Sequence, residues 1–352
     1  MYMSNRLLLL PVLIVLSLVF GGGPALADPV NCGDITVVDT ELEANLLCGS
    51  EPGLAIDADG VTLDLNGFTI SGSGLESGVF SGGFSGITIK NGSISGFQFG
   101  IYMVETADVE IKQLTFANQT QDSVVIVDGV NVSIADIQVS VPETAGSAII
   151  LYDVDGVKIS NATIHGGGFG VLTVGTSAAT KDFLVMNNTF AGIRNDGVGV
   201  RIVNSDSAKV FGNRIIGSDY ASGCYSGIDV FELGPKANVQ ILNNTITGCD
   251  FGIYMVSDAS SSGVNIHRNI LFDNGDGIFL VGSRNSQING NRAYLNAGVG
   301  IGLFEGSIGN SILKNTASGN GAWDMAHTPD SMPNSWSGNA CSTSDGSEVD
   351  CP

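Results

Sequence analysis

Apolar and polar residues alternate in short runs along most of the chain, with a period of two rather than the three or four of a helix. Residues 238–260, NVQILNNTITGCDFGIYMVSDAS, contain two such runs, VQIL and GIYMV, each beside an Asn or Gly turn. The same pattern recurs at residues 156–174, 261–281 and 285–304. The alternation predicts short β-strands. Its repeat length of about 22–31 residues is typical of solenoid architectures.

A short repeat of this kind buries its apolar face only by stacking on its neighbours. Strands of successive units then pair in parallel, at about 4.8 Å per coil. We therefore predict an all-β fold, a single-stranded parallel β-helix (solenoid) of about ten or eleven coils. The predicted coils span residues 59–319, between an N-terminal cap at 28–58 and a C-terminal cap or tail at 320–352. Two loop insertions, at 217–223 and 232–237, flank the same coil.

An asparagine recurs at one turn of six consecutive predicted coils. The residues are Asn188, Asn213, Asn244, Asn269, Asn291 and Asn315. Stacked asparagines form a ladder in which each amide bonds to the next. In the earlier coils the same position holds Gly92, Leu114, Ile137 and Ala162. The ladder is therefore predicted for the C-terminal half only.

The six cysteines fit an oxidising compartment. Cys224 and Cys249 lie three residues before the glycines of GIDV and GIYM. They take the same place in neighbouring coils, so their Cα atoms should be about 5 Å apart, within reach of a disulfide. We predict the pair Cys224–Cys249. Cys32–Cys48 would close the N-terminal cap and Cys341–Cys351 the C-terminal tail.

The first 27 residues are typical of a signal peptide. Arg6 precedes the apolar run LLLLPVLIVLSLVF, and Ala25-Leu26-Ala27 forms an A-x-A cleavage site. We place cleavage after Ala27 and expect a secreted or periplasmic protein. No later stretch is long and apolar enough to span a bilayer.

The formal net charge of −21 limits the partners. Such a chain repels nucleic acid and anionic membranes, so neither is expected as a partner. The charge permits a bound cation such as calcium, and it also fits an ordinary acidic surface.

The opening ADGVTLDLNGFTISGSG, the GIxL-type strands and the N…W…N…C tail resemble one family, the right-handed parallel β-helix repeat proteins of the pectin-lyase-like superfamily. The resemblance covers essentially the whole chain after the signal peptide. It implies a right-handed coil and a glycan lying along the parallel sheet. The fold hosts lyases, hydrolases, epimerases and adhesins, so the resemblance does not select an activity. The family signatures RxPxxR, Asp-Asp with GHG, and DPH are not found.

The middle residue of each GIxL strand is predicted to face outward, because its neighbours face the core. Coil by coil this column reads Phe80, Tyr102, Val125, Ile150, Leu172, Arg201, Asp229, Tyr254, Phe279 and Gly302. We predict that the rings of Phe80, Tyr102 and Phe279 bind ligand. The column two residues on reads Val104, Val127, Tyr152, Val174, Val203, Phe231, Val256, Val281 and Phe304. It forms an exposed apolar stripe unless a corner turns it inward.

Arg201, Asp229 and Tyr254 interrupt the first column on consecutive coils. The resemblance implies acidic-sugar chemistry, which needs a cation to neutralise the uronate and a base to take the C5 proton. Arg201 would neutralise, and Tyr254 would be the base if Arg201 lowers its pKa from about 10. Asp229 would orient Arg201, or hold calcium with Asp196, Asp250 or Asp276. The alternative is an ordinary cross-strand ion pair beside an aromatic stack.

Two functions therefore stay open. In the first, an exported β-helix binds, and in one version cleaves or epimerises, an acidic polysaccharide along its sheet. In the second, the solenoid is a non-catalytic surface, adhesive or structural protein. A third, metal delivery, is disfavoured because His165, His267 and His327 are scattered along the chain.

Overall fold

The computed structural model describes residues 29–142, 146–176, 180–194, 196–218, 223–231, 238–257 and 263–349. Residues 31–352 belong to one compact unit, and the other unit, Met1–Val30, lies almost wholly outside the described residues. The predicted signal peptide lies there too. In the described part of the chain every regular element is a strand, as the period of two predicts. Within the same residues, no helix reaches the length and apolarity needed to cross a membrane.

The strands are short and follow one another at close intervals. In chain order they are β1 Ile35–Thr36, β2 Thr40–Glu41, β3 Leu46–Gly49, β4 Leu54–Ile56, β5 Thr62–Asp64, β6 Thr69–Gly72, β7 Ser77–Gly82, β8 Thr88–Ser95, β9 Phe99–Val104, β10 Ala107–Ala117, β11 Val124–Val127, β12 Val130–Ala135, β13 Gln138–Ser140, β14 Ile149–Tyr152, β15 Asp155–Ser160, β16 Thr163–His165, β17 Phe169–Val174, β18 Phe183–Met186, β19 Thr189–Ile193, β20 Gly197–Val203, β21 Ser207–Phe211, β22 Arg214–Gly217, β23 Cys224–Phe231, β24 Asn238–Leu242, β25 Thr245–Thr247, β26 Cys249–Val256, β27 Asn265–His267, β28 Ile270–Phe272, β29 Asp276–Val281, β30 Gln287–Asn289, β31 Arg292–Tyr294, β32 Ile301–Phe304, β33 Ser311–Leu313, β34 Thr316–Ser318, β35 Met325–His327, β36 Ser335–Ser337 and β37 Ser344–Asp345.

Parallel pairing joins each strand to its equivalent one coil away. One sheet, which we name sheet A, has the strand order β1-β4-β7-β9-β11-β14-β17-β20-β23-β26-β29-β32-β35-β37 in the described residues. The remaining strands pair in the same way around the other sides, for example β24 with β27 and β25 with β28. Each coil thus adds one rung to every side, which confirms the predicted parallel β-helix.

The core is a set of apolar columns running from coil to coil. In sheet A, Ile228, Ile253 and Ile278 occupy one such column and are fully buried. Burial of a side chain of this size contributes about 1.5–3 kcal/mol to stability. Because alternate residues enter the core, the residues between them form the outer face of sheet A.

Coil pairing extends beyond the predicted boundaries of 59 and 319. β1 pairs with β4 through Ile35 and Ala55, inside the segment predicted as the N-terminal cap. β35 pairs with β37 through Met325 and Ser344, inside the predicted C-terminal cap. These end strands are only two to four residues long, so their alternation is too brief to register as a repeat.

The asparagine ladder is confirmed in the structure. The amide of Asn244 donates to Oδ1 of Asn269 at 3.0 Å, and the other five predicted members continue the same contact. The ladder also gains Asn339, whose Oδ1 accepts from Asn315 at 3.1 Å. A second ladder, not predicted, joins Asn274, Asn296 and Asn320. Both columns are almost fully buried, so the amides satisfy corner backbone groups that water does not reach.

Two of the three predicted disulfides are confirmed. Cys224 and Cys249 are bonded with a Cα–Cα distance of 4.5 Å, and Cys32 and Cys48 with one of 5.3 Å. The predicted Cys341–Cys351 bond lies outside the described residues because Cys351 does. The two predicted loop insertions lie wholly or mainly outside them as well.

Candidate functional site

Sheet A brings Arg201, Asp229 and Tyr254 onto three adjacent strands, as predicted. Arg201 on β20 pairs in register with Asp229 on β23, which pairs with Tyr254 on β26. Nε of Arg201 lies 2.9 Å from both carboxylate oxygens of Asp229, and Nη2 lies 2.5 Å from Oδ2. The hydroxyl of Ser226 donates to the same oxygen at 3.1 Å. The guanidinium charge is therefore matched by a bidentate carboxylate.

Asp229 lies between the core residues Ile228 and Val230, on the outer face of sheet A as predicted, but its side chain is buried. Its side chain is 0% exposed, whereas that of Arg201 is 24% exposed. Burial raises the pKa of the Asp229 carboxyl, and the Arg201 guanidinium and the Ser226 hydroxyl act in the opposite direction. Asp229 can orient Arg201 in this position. Its carboxylate is enclosed, so it has no direct access to a ligand.

A continuous group of rings lies beside this ion pair. We name as the aromatic row five residues whose rings contact one another across β23, β26, β29 and β32: Tyr225, Phe251, Tyr254, Phe279 and Phe304. Tyr254 stacks on Phe251 with centroids 4.7 Å apart, and Phe279 stacks on Phe304 at 4.3 Å. Each of the five side chains is partly exposed. Together they provide a long aromatic surface on the outer face of sheet A.

Two further rings, outside the aromatic row, flank the arginine. The guanidinium carbon of Arg201 lies 4.9 Å from the centroid of the Phe169 ring and 5.2 Å from that of Phe231. Cation–π contacts of this kind hold the planar group in place. Arg201 is therefore fixed by two rings and one carboxylate rather than extended toward solvent.

Tyr225 and Phe251 belong to the site although the sequence did not identify them. They precede the GIxL core of their strands. For β23, a register shift between Gly197 and Val198 also changes its pairing with β20. Burial raises the pKa of Tyr225 to about 12, and the neighbouring hydroxyl of Tyr254, with which it shares a hydrogen bond, adds to the effect. Tyr225 is therefore a phenol at neutral pH and offers a proton rather than a base. The aromatic residue near the start of β23 and of β26 was the sequence signal that could have identified these two positions.

A second aromatic patch lies at the N-terminal end of sheet A. Phe80, 43% exposed, stacks on Tyr102 with centroids 6.1 Å apart, and Phe99 adds a ring 5.3 Å from Tyr102. The predicted outer column does not connect this patch to the aromatic row through exposed residues, because Val125 and Ile150 are buried. In the predicted outer column the side chains of Val125, Ile150 and Asp229 are therefore covered by their neighbours.

The second predicted column is an outward apolar stripe. All nine of its residues are partly exposed, so no corner turns them into the core. Phe304 ends this column, and its ring lies over the backbone of Gly302, where a Cβ would come within 2.3 Å of it. The small residue at 302 thus allows Phe304 to join the aromatic row.

The row ends at a hollow of about 480 Å³, which we name the C-terminal hollow. Its lining includes Phe304, Trp323 and Met332, and Trp323 is 40% exposed. His327 also lines it, but Nδ1 lies 2.9 Å from the carbonyl oxygen of Thr328 and Nε2 accepts the Glu348 N–H at 3.4 Å. His327 therefore serves the local packing, while Trp323 extends the aromatic surface.

The three aspartates considered for calcium do not form a ligand set. Asp276 lies on β29 and pairs with Phe251 on β26, the strand that also holds Asp250. Asp196 precedes β20, two coils before β26. Burial raises the pKa of Asp276, and Oδ1 accepts the Val299 N–H at 2.5 Å. Among the described residues, no group of three or more His, Cys, Asp or Glu side chains is arranged to hold a metal. The structure therefore gives the calcium prediction no support.

Comparisons with known proteins agree with this architecture. The A-module of the mannuronan C-5 epimerase AlgE6 from Azotobacter vinelandii aligns with a TM-score of 0.53 at 17% identity, covering 89% of each chain. The catalytic unit of a thermostable GH87 alpha-1,3-glucanase from Streptomyces thermodiastaticus strain HF3-3 aligns with a TM-score of 0.50 at 14% identity. That match covers 91% of this chain and 64% of the glucanase unit. Identities this low show a shared fold. No curated protein sequence matches.

A family model settles the relationship at the level of sequence. The model describes the right handed beta helix region, and it matches residues 52–222, 131–275 and 179–348 in overlapping stretches. These stretches take in nearly all the coils that the structure describes. The chain therefore belongs to the right handed beta helix family.

Proposed function

We propose that this protein binds a polysaccharide along the outer face of sheet A, with the aromatic row as the centre of the binding surface. The observation that carries the proposal is the row itself: five partly exposed rings on four successive strands, each in contact with the next. Sugar rings have apolar faces that pack on aromatic side chains, and exposed apolar patches of this extent mark binding surfaces. The two fold neighbours named above act on polysaccharides by name, in agreement with a glycan ligand.

The charges on this face favour a glycan of low charge density. Arg201 is the cation beside the row, and Asp229 already matches its charge. The whole chain carries −21 and repels a dense polyanion. The acidic polysaccharide predicted from sequence fits better if acidic sugars occur sparsely among neutral ones. Trp323 in the C-terminal hollow would then contact the sugars beyond Phe304.

The binding proposal is tested by removing single rings. Tyr254→Ala and Phe279→Ala should each weaken binding about tenfold or more, since each removes a large apolar contact. Phe211→Ala is the matched control, because Phe211 is a partly exposed ring on β21, outside sheet A. A glycan array identifies a ligand, and isothermal titration calorimetry measures its Kd for each variant. Equal losses for all three variants, or no glycan bound by the wild type, would contradict the proposal and favour a structural solenoid.

A second candidate is catalytic processing of the bound glycan. The observation in its favour is the pair of perturbed groups beside Arg201, since burial raises the pKa of both Asp229 and Tyr225. Such groups cluster at active sites. Lysis of a uronate polymer would create ultraviolet-absorbing unsaturated ends, hydrolysis new reducing ends, and epimerisation a changed NMR spectrum. Tyr225→Phe and Tyr254→Phe should abolish the product while the fold persists. If the protein binds the glycan and forms none of these products, the outer face of sheet A is an adhesive surface without catalytic activity.

We further propose that the protein works outside the cytoplasm. Two disulfides in the described residues are consistent with an extracellular protein. The signal peptide predicted at residues 1–27 would direct the chain to export across the membrane. Mass spectrometry of the protein from culture medium or periplasm should find a mature chain beginning at Asp28. An intact Met1 in the cytoplasm, with reduced cysteines, would overturn this proposal.

A further inference from the structure

A second concave surface lies away from sheet A, on the side of the coil formed by β28, β31 and β34. It is a hollow of about 500 Å³, which we name the Leu295 notch, lined by Arg292, Tyr294, Leu295, Thr316, Ser318 and Gly319. The first three of these residues, on β31 and its turn, have long side chains, and the other three, on the next coil, are small. The notch is the space above the small residues, beside the long side chains.

Leu295 departs from the pattern of its own turn. In most of the other coils the residue equivalent to Leu295 also has a positive φ. These residues are Gly96, Asn118, Gly166, Gly192, Gly248, Asp273 and Gly319. These residue types tolerate the left-handed conformation, whereas leucine does not. Leu295 has φ of +56° and is 60% exposed. It is the one apolar residue with positive φ in the described part of the chain. Backbone strain and an exposed apolar side chain both oppose folding here, and such combinations are found at functional sites.

Tyr294 ends an aromatic stack at the notch. Its ring lies parallel to that of Phe272 on the preceding coil, with centroids 5.3 Å apart and planes 4° from parallel. On the following coil the same position is Ser318. Because serine is small, the face of Tyr294 turned away from Phe272 borders the notch. One more flat ring would continue the stack.

Arg292 places a positive charge at the Leu295 notch. It is two residues before Tyr294 on β31, so both side chains leave the same face of the strand. Arg292 is exposed, and among the described residues its guanidinium has no partner. Arg201 differs in this respect because Asp229 neutralises it. In a chain with 35 acidic residues and 14 lysines and arginines, an unpaired guanidinium in a hollow is suited to a carboxylate ligand.

We propose that the Leu295 notch binds one acidic sugar residue, a uronate at a chain end or on a sparse branch of a glycan. The sugar ring packs against Tyr294 and Leu295, its carboxylate pairs with Arg292, and its hydroxyls bond to Thr316 and Ser318. A single uronate fits better than a polyuronate, because the net charge of −21 repels a dense polyanion. This site does not depend on glycan binding at sheet A, which is on another side of the coil.

The test measures saturation-transfer difference NMR of the full-length protein with digalacturonate and diglucuronate, and with digalactose as the neutral counterpart. The wild type should give transfer to one of the uronates and little to digalactose. Arg292→Gln should weaken uronate binding about tenfold. Ser318→Phe should abolish it by continuing the stack into the notch. Leu295→Gly should weaken binding while raising the melting temperature, because glycine accepts the positive φ.

Matched variants separate this site from the other proposals. Arg214→Gln removes an exposed arginine at the same strand position three coils earlier, and it should leave uronate binding unchanged. Phe211→Ala removes a partly exposed ring on β21, outside sheet A and outside the notch, and should also leave it unchanged. The proposal is wrong if neither uronate binds, if digalactose binds equally well, or if Arg292→Gln and Arg214→Gln have the same effect. It is also wrong if the wild type is a dimer that Leu295→Gly converts to a monomer, since a second copy would then fill the notch.

Discussion

Replacing one internal rung of the asparagine ladder tests how the coils are held together. Oδ1 of Asn244 accepts the backbone N–H of Asn213 at 2.9 Å and its side-chain amide at 3.0 Å. Nδ2 of Asn244 donates to the carbonyl oxygen of Val210 at 2.9 Å. Asn244→Leu removes all three hydrogen bonds in a position that is fully buried, although the Asn213 amide keeps its bond to the Val185 carbonyl. Leucine fits the turn sterically, because Leu114 occupies the equivalent place upstream.

Each buried polar group left without a partner costs about 1–3 kcal/mol. The Asn213 N–H and the Val210 carbonyl both lose their side-chain partner, so we expect a loss of about 2–6 kcal/mol. Guanidinium denaturation followed by circular dichroism measures the difference, provided that the m-value stays constant. Asn188→Leu, at the first rung, removes the bonds to the Ala162 N–H and the Ile159 carbonyl. It should cost less, because alanine at 162 has no side-chain amide that would lose a partner as that of Asn213 does. Asn243→Gly, at an exposed turn with positive φ, should change stability by about 0.5 kcal/mol or less. A loss for Asn244→Leu below about 1 kcal/mol, or equal to that of Asn243→Gly, would refute the reasoning.

Three further predictions concern the disulfide, the buried ion pair and the titration of Tyr225. Replacing Cys224 and Cys249 together by serine should lower the free energy of unfolding by about 3 kcal/mol, since their bond closes a loop with a sequence separation of 25. The reduced wild type should be as stable as the variant. Equal stability of the oxidised and reduced wild type would contradict the prediction. Arg201→Ala should cost about 3–5 kcal/mol near neutral pH by leaving Asp229 buried without its cation, and Arg201→Leu combined with Asp229→Leu should recover most of it. Burial raises the pKa of the Asp229 carboxyl, so the folded state binds its proton more tightly than the unfolded state. The stability lost in Arg201→Ala should therefore shrink as the pH falls and grow as the pH rises. A loss of stability independent of pH would contradict the prediction that a buried Asp229 carboxylate causes it. In an alkaline titration followed by tyrosinate absorbance, Tyr225→Phe should remove a transition near pH 12, and loss of a transition near pH 10 instead would place Tyr225 in an ordinary environment.

The outer face of sheet A shows where sequence reasoning succeeded and where it failed. Arg201, Asp229 and Tyr254 are adjacent because the strand register follows from the GIxL motif alone. Burial of Asp229 did not follow, because it depends on how the side chains beside it pack. Tyr225 and Phe251 were missed for a related reason. Both precede the motif, and at the start of β23 the pairing with β20 is also shifted.

The sequence by itself determined the parallel β-helix, the asparagine ladder and the pairing of Cys224 with Cys249. In a solenoid, residues one repeat apart become vertical neighbours, so a local pattern repeated along the chain already contains the long-range contacts. Only the tertiary structure decided which polar groups are enclosed, which rings form the aromatic row, and where Leu295 opens a notch beside Tyr294. These features depend on the sizes of side chains on adjacent coils and on single backbone angles, and a repeat pattern specifies neither.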